Sequence, residues 1–218
     1  MAIPVLIMGQ SGTGKSYSLR NLPSEHTALF NVIGKPLPFR KKLDAAAIRD
    51  IPTIQKKALE TKRPIVVLDD FGYAVTDLYM RLTYGPEKTR DQYEPYKRIG
   101  AEVYNLVNAI QAAKKENAEK IVYIIMHTDM DAQGHTVPAT VGKMINEKIN
   151  IVGMVSICLT SFTDGDTYGF VTNAAPPVKS PPGMFKDQIV DNDLKAVDTA
   201  IREYWGMAPI SEGSNDAD

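Results

Sequence analysis

The chain is poor in cysteine, has no long apolar run and carries almost no net charge, and each deficit removes a class of protein. Cys158 is the only cysteine among 218 residues, so no intramolecular disulfide framework can hold the fold. It lies inside the apolar run Ile151 to Leu159, as expected of an intracellular protein with a buried thiol. No apolar stretch approaches the ~20 residues that a membrane span needs. The opening Met1-Ala2-Ile3-Pro4-Val5-Leu6-Ile7 lacks the basic start and long apolar stretch of a signal peptide. A soluble, cytoplasmic protein with no membrane partner is the expectation. Lys and Arg number 25 against 26 Asp and Glu, a formal net charge of −1, which excludes a general basic field. Any contact with nucleic acid would have to come from local basic loops.

The length suits one compact domain rather than two. A domain over 1–206 and a tail over 207–218 are expected, because Ser211 to Asp218 is polar, acidic and of disordered composition. No internal repeat is found.

What is present is an alternation of apolar runs and helical stretches. Ile3 to Met8, Ala28 to Ile33, Ile65 to Leu68 and Ile121 to Met126 read as strands buried on both faces of a parallel sheet. The intervening segments have helical character, so an α/β fold with a doubly wound sheet is expected. Ile99, Val103, Leu106, Ile110 and Ala113 share one face of a helix expected over Tyr96 to Asn117. A terminal helix, capped by Asp191 or Asn192, would bury Leu194, Val197, Ile201 and Tyr204 and stop at Gly206. Between these helices, Ile151 to Thr160 and Thr167 to Thr172 flank the turn signal Asp164-Gly165-Asp166, an antiparallel hairpin extending the sheet. Pro176, Pro177, Pro181 and Pro182 then argue against regular structure until the last helix.

The densest chemistry is Gly9-Gln10-Ser11-Gly12-Thr13-Gly14-Lys15-Ser16, directly after the first strand. Gly, four residues and Gly-Lys-Ser is the phosphate-cradle pattern: glycines let main-chain N–H groups turn inward, and a helix after the loop adds its positive end. At average composition such a match arises by chance in roughly one chain in a hundred of this length. Gly9 to Ser16 and the adjoining Tyr17 are therefore the candidate nucleotide-binding residues, with Lys15 reaching the β- and γ-phosphates of ATP and Ser16 ligating Mg²⁺. Ile65-Val66-Val67-Leu68-Asp69-Asp70 is an apolar strand ending in two carboxylates. Asp69 is the expected metal-side acid, while Asp70 either activates water or caps the next helix. His127, after Met126, either senses the γ-phosphate or serves as a structural donor.

With these parts in order, the chain resembles the RecA-like ATPases, and most closely their small phage-type members that anneal and recombine single-stranded DNA with ATP. The residues that carry the resemblance are Gly9 to Ser16, Gly34-Lys35-Pro36-Leu37-Pro38-Phe39, Val67 to Asp70, Met126-His127, Gly142-Lys143 and Lys179-Ser180-Pro181-Pro182-Gly183-Met184-Phe185. The resemblance implies a P-loop core with a mainly parallel sheet flanked by helices, ATP hydrolysis stimulated by DNA, and a homo-oligomeric ring or filament with ATP at its interfaces. Two loops would face single-stranded DNA, Tyr84 to Arg98 and Asp129 to Lys148. Lys88, Arg90, Lys97 and Arg98 are interleaved there with Tyr93 and Tyr96, a mixture that can pair phosphates and stack bases. Glu87, Asp91 and Glu94 dilute it, and a solvated loop is the alternative. Lys143 and Lys148 are the basic candidates of the second loop.

A cation supplied by the neighbouring subunit would complete the site, with Lys179 as first candidate and Lys143 as second. The acidic tail could recruit a single-strand DNA-binding protein. One departure stands out: where RecA proteins carry a catalytic Glu after the second strand, this chain has Asn31-Val32-Ile33-Gly34. A small-molecule P-loop kinase and a nucleotide-switch loader or packaging accessory are the competing readings. The hairpin and proline-rich segment, in place of an arginine-rich lid, argue against the kinase.

Overall fold

A computed structural model describes residues 2–113, 119–174 and 176–210. The expected acidic end, Ser211 to Asp218, lies outside the described residues, as do residues 114–117 of the stretch expected to be helical to Asn117, where the helix ends at Gln111.

The first strand, β1 (Ile3–Gly9), is buried from Pro4 onward and pairs in parallel on both sides. Its neighbours are β5 (Ile121–Met130) and β7 (Ile157–Asp164). Beyond β5 come β4 (Ile65–Asp69), β2 (Thr27–Asn31) and the two-residue edge strand β3 (Ala45–Ala46). On the other side β8 (Thr167–Val171) and β9 (Ile189–Asp191) continue antiparallel, and β6 (Thr136–Pro138) pairs with the far end of β5. The order is β3-β2-β4-β5-β1-β7-β8-β9, a mostly parallel mixed sheet. A central position for β1 explains its unbroken apolar sequence, since neither of its faces meets water.

Alternate residues of the strands feed two cores. Leu6, Met8, Leu68, Ile124 and Met126 meet helices α1 (Ile51–Glu60), α2 (Gly72–Thr83) and α3 (Glu94–Gln111). Val5, Ile7, Val67, Tyr123 and Ile125 meet the later helix α5 (Leu194–Trp205) and the 3₁₀ segment Tyr17–Asn21. A short α4 (Ile151–Met154) precedes β7. Ile99, Val103, Leu106 and Ile110 are buried in α3, as their spacing requires, and the helix begins two residues before Tyr96 because Pro95 suits its first turn.

Three local expectations are corrected. The cap of α5 is Asp193, whose side chain accepts from Lys195 N, because β9 carries the chain through Asp191 and Asn192 is turned inward. Tyr204 is exposed, and the inner stripe of α5 takes Asp198 and Arg202 instead. The proline-rich stretch holds sheet contacts despite its composition: Lys179 exchanges main-chain hydrogen bonds with Cys158 at 2.8 and 2.9 Å, and β9 comes next. The hairpin itself forms where expected, with Gly165 at φ 57° in its turn, although Ile151–Met154 is helical.

Lys120, just before β5, is buried and its ammonium donates to the carbonyls of Ala58, Leu59 and Thr61 at 2.7–3.0 Å. It caps the C-terminal end of α1, where carbonyls have no partner within the helix. Lys120→Met should cost about 1–3 kcal/mol, read as a lowered urea midpoint with an unchanged slope.

Candidate functional site

The Gly9–Ser16 loop leaves β1 at the carboxyl end of the sheet. Gly12 and Gly14 have φ of 86° and 82°, a left-handed conformation in which a side chain is strained. Lys15 is 5 % exposed, and its ammonium donates to Gly9 O at 2.8 Å and Gln10 O at 2.6 Å. Burial lowers its pKa to about 8, against the opposing fields of Asp70 and Asp69 and with a smaller contribution from the charge of Lys35. Thr13 Oγ1 lies 2.6 Å from Ser161 Oγ on β7, which ties the loop across to the neighbouring strand. The loop leads not into the expected α-helix but into the 3₁₀ segment Tyr17–Asn21, too short to supply a substantial helix dipole. Arg20 lies over the Tyr17 ring, 4.4 Å from its centroid.

Strand order decides what faces this loop. β5 lies between β1 and β4, and Gly9 is in register with His127. Asp69, at the end of β4, is fully buried: its Oδ1 accepts from Ser16 Oγ at 3.1 Å, while its Oδ2 has no hydrogen-bond partner. Burial first, then the neighbouring Asp70 charge, raises its pKa to about 6. An orphaned buried carboxylate oxygen beside a serine hydroxyl is an all-oxygen donor set that fits Mg²⁺ with its waters.

Asp70 comes next at φ 58°, left-handed and rare for a residue with a side chain. Its side chain does not cap α2. Oδ1 lies 3.2 Å from His127 Nε2, and Oδ2 forms an ion pair with Lys35. Burial opposes the charge on Asp70, but hydrogen bonds from His127 and Lys35 outweigh it and lower the pKa to about 2. His127 is not the last residue of β5, which runs on to Met130, but it is where pairing with β1 ends.

Lys35 is a member of the site to which sequence reasoning assigns no role. The side chain of Asn31, in register with Asp69, holds the turn that delivers it: Nδ2 donates to Lys35 O at 2.6 Å and Oδ1 accepts from Gly34 N at 3.0 Å. Gly34 sits at φ 68°. The only signal in the sequence is the Gly34-Lys35-Pro36 segment after the second strand. A cavity of about 410 Å³ is lined by Ser11, Gly12, Gly14, Lys15, Ser16 and Tyr17 on the loop side and by Lys35, Asp70, His127 and Tyr168 around them; Asp69 is not among its lining residues.

The other candidates lie elsewhere. Lys179 is fixed by its main chain beside Cys158, in register with the middle of β1, and is not among the residues lining the cavity. Lys143 pairs with Glu147 at 3.2 Å, and Lys148 is exposed on a π-helical turn, Met144–Ile149. The expected long second loop is largely ordered: its start is the β5–β6 hairpin, closed by Asp131 accepting from Gln133 N and His135 N. In the first loop Lys97 pairs with Asp91 at 3.1 Å, and Arg98 pairs with Glu102 at 3.7 Å and Glu87 at 4.0 Å. Lys88, Arg90 and Tyr93 are exposed, and Lys88 and Arg90 have no ion pair among the described residues. Tyr96 packs on Tyr79 at 5.5 Å between centroids, and a Cβ on Gly142 would meet its ring at 2.6 Å, so the two loops touch.

No protein-family model and no curated protein matches this chain. Its class is an α/β protein with a mostly parallel mixed sheet, flanked by helices, and a glycine-rich loop at the carboxyl edge. Among the described residues, no helix is long and apolar enough to cross a membrane.

Proposed function

We propose that this chain is a Mg²⁺-dependent P-loop ATPase of the RecA-like kind. Within that class, its proposed role is that of the phage-type proteins that bind single-stranded DNA and promote strand annealing and recombination. The observation that carries the ATP site is the convergence on one cavity of Lys15, Ser16 and the Asp70–His127 pair, with the buried Asp69 joined to Ser16 and keeping one orphaned oxygen. Ser16 and Asp69 would hold Mg²⁺, which when bound neutralises charge on the phosphates. Lys15 supplies a cation beside them. Asp70, paired with His127 and Lys35 and with a depressed pKa, is a weak base and serves to orient these two side chains.

Lys88 and Arg90, exposed and without an ion pair among the described residues, stand beside Tyr93. Together with the contact between the two loops, they support a shared single-strand surface more than Lys97 and Arg98 do. Assembly into a ring or filament, with Lys179 or Lys143 acting across the interface, belongs to the same proposal.

The test is ATP turnover with and without single-stranded DNA. Lys15→Ala should lower turnover about 100-fold or more under both conditions, because the loss of one preorganised charge donor has that scale. Lys88→Ala with Arg90→Ala should retain basal turnover, lose DNA stimulation, and flatten the salt dependence of single-strand binding by a slope of about 1.4. Turnover that survives Lys15→Ala sinks the ATP site, and unchanged DNA binding in the double variant sinks the loop assignment.

A further inference from the structure

The cavity has two unlike ends. Tyr17, after the loop, and Tyr168, on β8, line it toward the β7–β8 side, and the two residues are 41 % and 42 % exposed. Lys35, Asp70 and His127 line it toward the β4–β2 side. The loop with Lys15 and Ser16 lies between. An elongated ligand with a flat apolar head and a polyanionic tail fits this layout in one direction only, with the head on the tyrosines and the last charge at Lys35.

We infer that Lys35 is the terminal-phosphate ligand by which this cavity tells a nucleoside triphosphate from a diphosphate, an inference that rests on the proposed nucleotide site. The side chain is placed for that task. Asn31 clamps the backbone on both sides of the Gly34–Lys35 peptide, and Pro36 and Pro38, which also line the cavity, stiffen the chain beyond it. The Lys35 side chain is 43 % exposed, whereas that of its partner Asp70 is 1 % exposed. A lysine needed only to neutralise a buried carboxylate could do so from outside the cavity. This one reaches Asp70 from inside it, within the field of Lys15, so two cations converge on the space where a polyphosphate would end. Asp70 then acts as the tether that holds Lys35 at the right depth. The arrangement also accounts for the absence of a carboxylate after β2: the same stretch of chain delivers a cation.

The test is calorimetric titration of the full chain with Mg²⁺ and either a non-hydrolysable ATP analogue or ADP. Four proteins are compared: wild type, Lys35→Met, Lys35→Arg, and Lys35→Met combined with Asp70→Asn, which removes the carboxylate that Lys35→Met deprives of its cation. Wild type should prefer the triphosphate. Lys35→Met should lose about 10- to 100-fold for the triphosphate and less than about threefold for ADP, the scale of one hydrogen bond to a charged group. The double variant should show the same selective loss, and Lys35→Arg should recover most of it. Equal losses for both nucleotides, or a preserved preference in Lys35→Met and the double variant, overturn the inference while leaving the nucleotide site standing. Wild type binding neither nucleotide overturns both.

Discussion

Asp198→Ala should destabilise the protein by about 3–5 kcal/mol, the cost of leaving a buried charge without its partner. Asp198 and Arg202 sit on the inner face of α5, 3 % and 2 % exposed. Arg202 Nε donates to Asp198 Oδ2 at 2.5 Å, and Tyr123 donates its hydroxyl to Oδ1 at 2.8 Å from the centre of the sheet. Arg202 also donates to the carbonyls of Glu119, Ala208 and Pro64 at 3.0–3.4 Å, which fastens α5 to the segments entering β4 and β5. Burial raises the pKa of Asp198 despite the guanidinium beside it, so desolvation outweighs the pair's attraction and the pair is worth less than its removal would suggest. Two comparisons check this by urea unfolding. Asp198→Asn, whose one carbonyl oxygen can accept from Arg202 while its NH₂ donates to the Tyr123 hydroxyl oxygen, should cost less than half as much as alanine. Arg202→Met should cost at least as much as Asp198→Ala, because it strands the carboxylate and the carbonyls together. Equal stability of wild type and Asp198→Ala would show that α5 is not held through this pair.

The second large effect is expected at Gly9. Its φ is not left-handed, so the demand for glycine here is purely spatial. A Cβ at this position would stand 2.1 Å from Ser161 Oγ, 2.7 Å from Thr13 Oγ1 and 3.0 Å from Ser161 O. One of those contacts is with main chain of the neighbouring strand and cannot be relieved by a rotamer change. Gly9→Ala should therefore push the loop off β7, break the Thr13–Ser161 hydrogen bond and cost about 1–3 kcal/mol in stability. Nucleotide affinity should fall at least about tenfold, since Lys15 takes its position from the carbonyls of Gly9 and Gln10. Removing the nearest clashing atom with Ser161→Ala in the same chain should restore part of the stability but not the tie. Affinity of Gly9→Ala within about threefold of wild type would mean that the loop tolerates displacement and that its link to β7 is incidental.

The Gly9–Ser16 loop, the strand before it, the acid pair at the end of β4, the buried stripe of α3 and the β7–β8 turn are all legible in the sequence. Each is set by neighbours a few residues apart: an apolar run for a strand buried on both faces, glycines where φ must be positive, a three-and-four spacing for one helix face. The short 3₁₀ segment after the loop, the ordered β5–β6 hairpin and the Asp193 cap are not legible there, because element type and ends at such places depend on what the segment packs against.

Sequence alone determined that an apolar strand runs into a glycine-rich loop bearing Lys15 and Ser16, and that two carboxylates end another strand. Only the tertiary structure decided what those groups meet. The order of the strands places β5 between β1 and β4, so His127 comes beside Asp70; the adjacency of β2 and β4 brings Asn31 level with Asp69 and Lys35 onto Asp70; the pairing of β1 with β7 sets Ser161 against Thr13. The physical reason is that local patterns dictate which residues form a strand and which face they bury. Which strands become neighbours is fixed by chain crossovers and by the joint burial of both sheet faces, information that no short window of sequence contains.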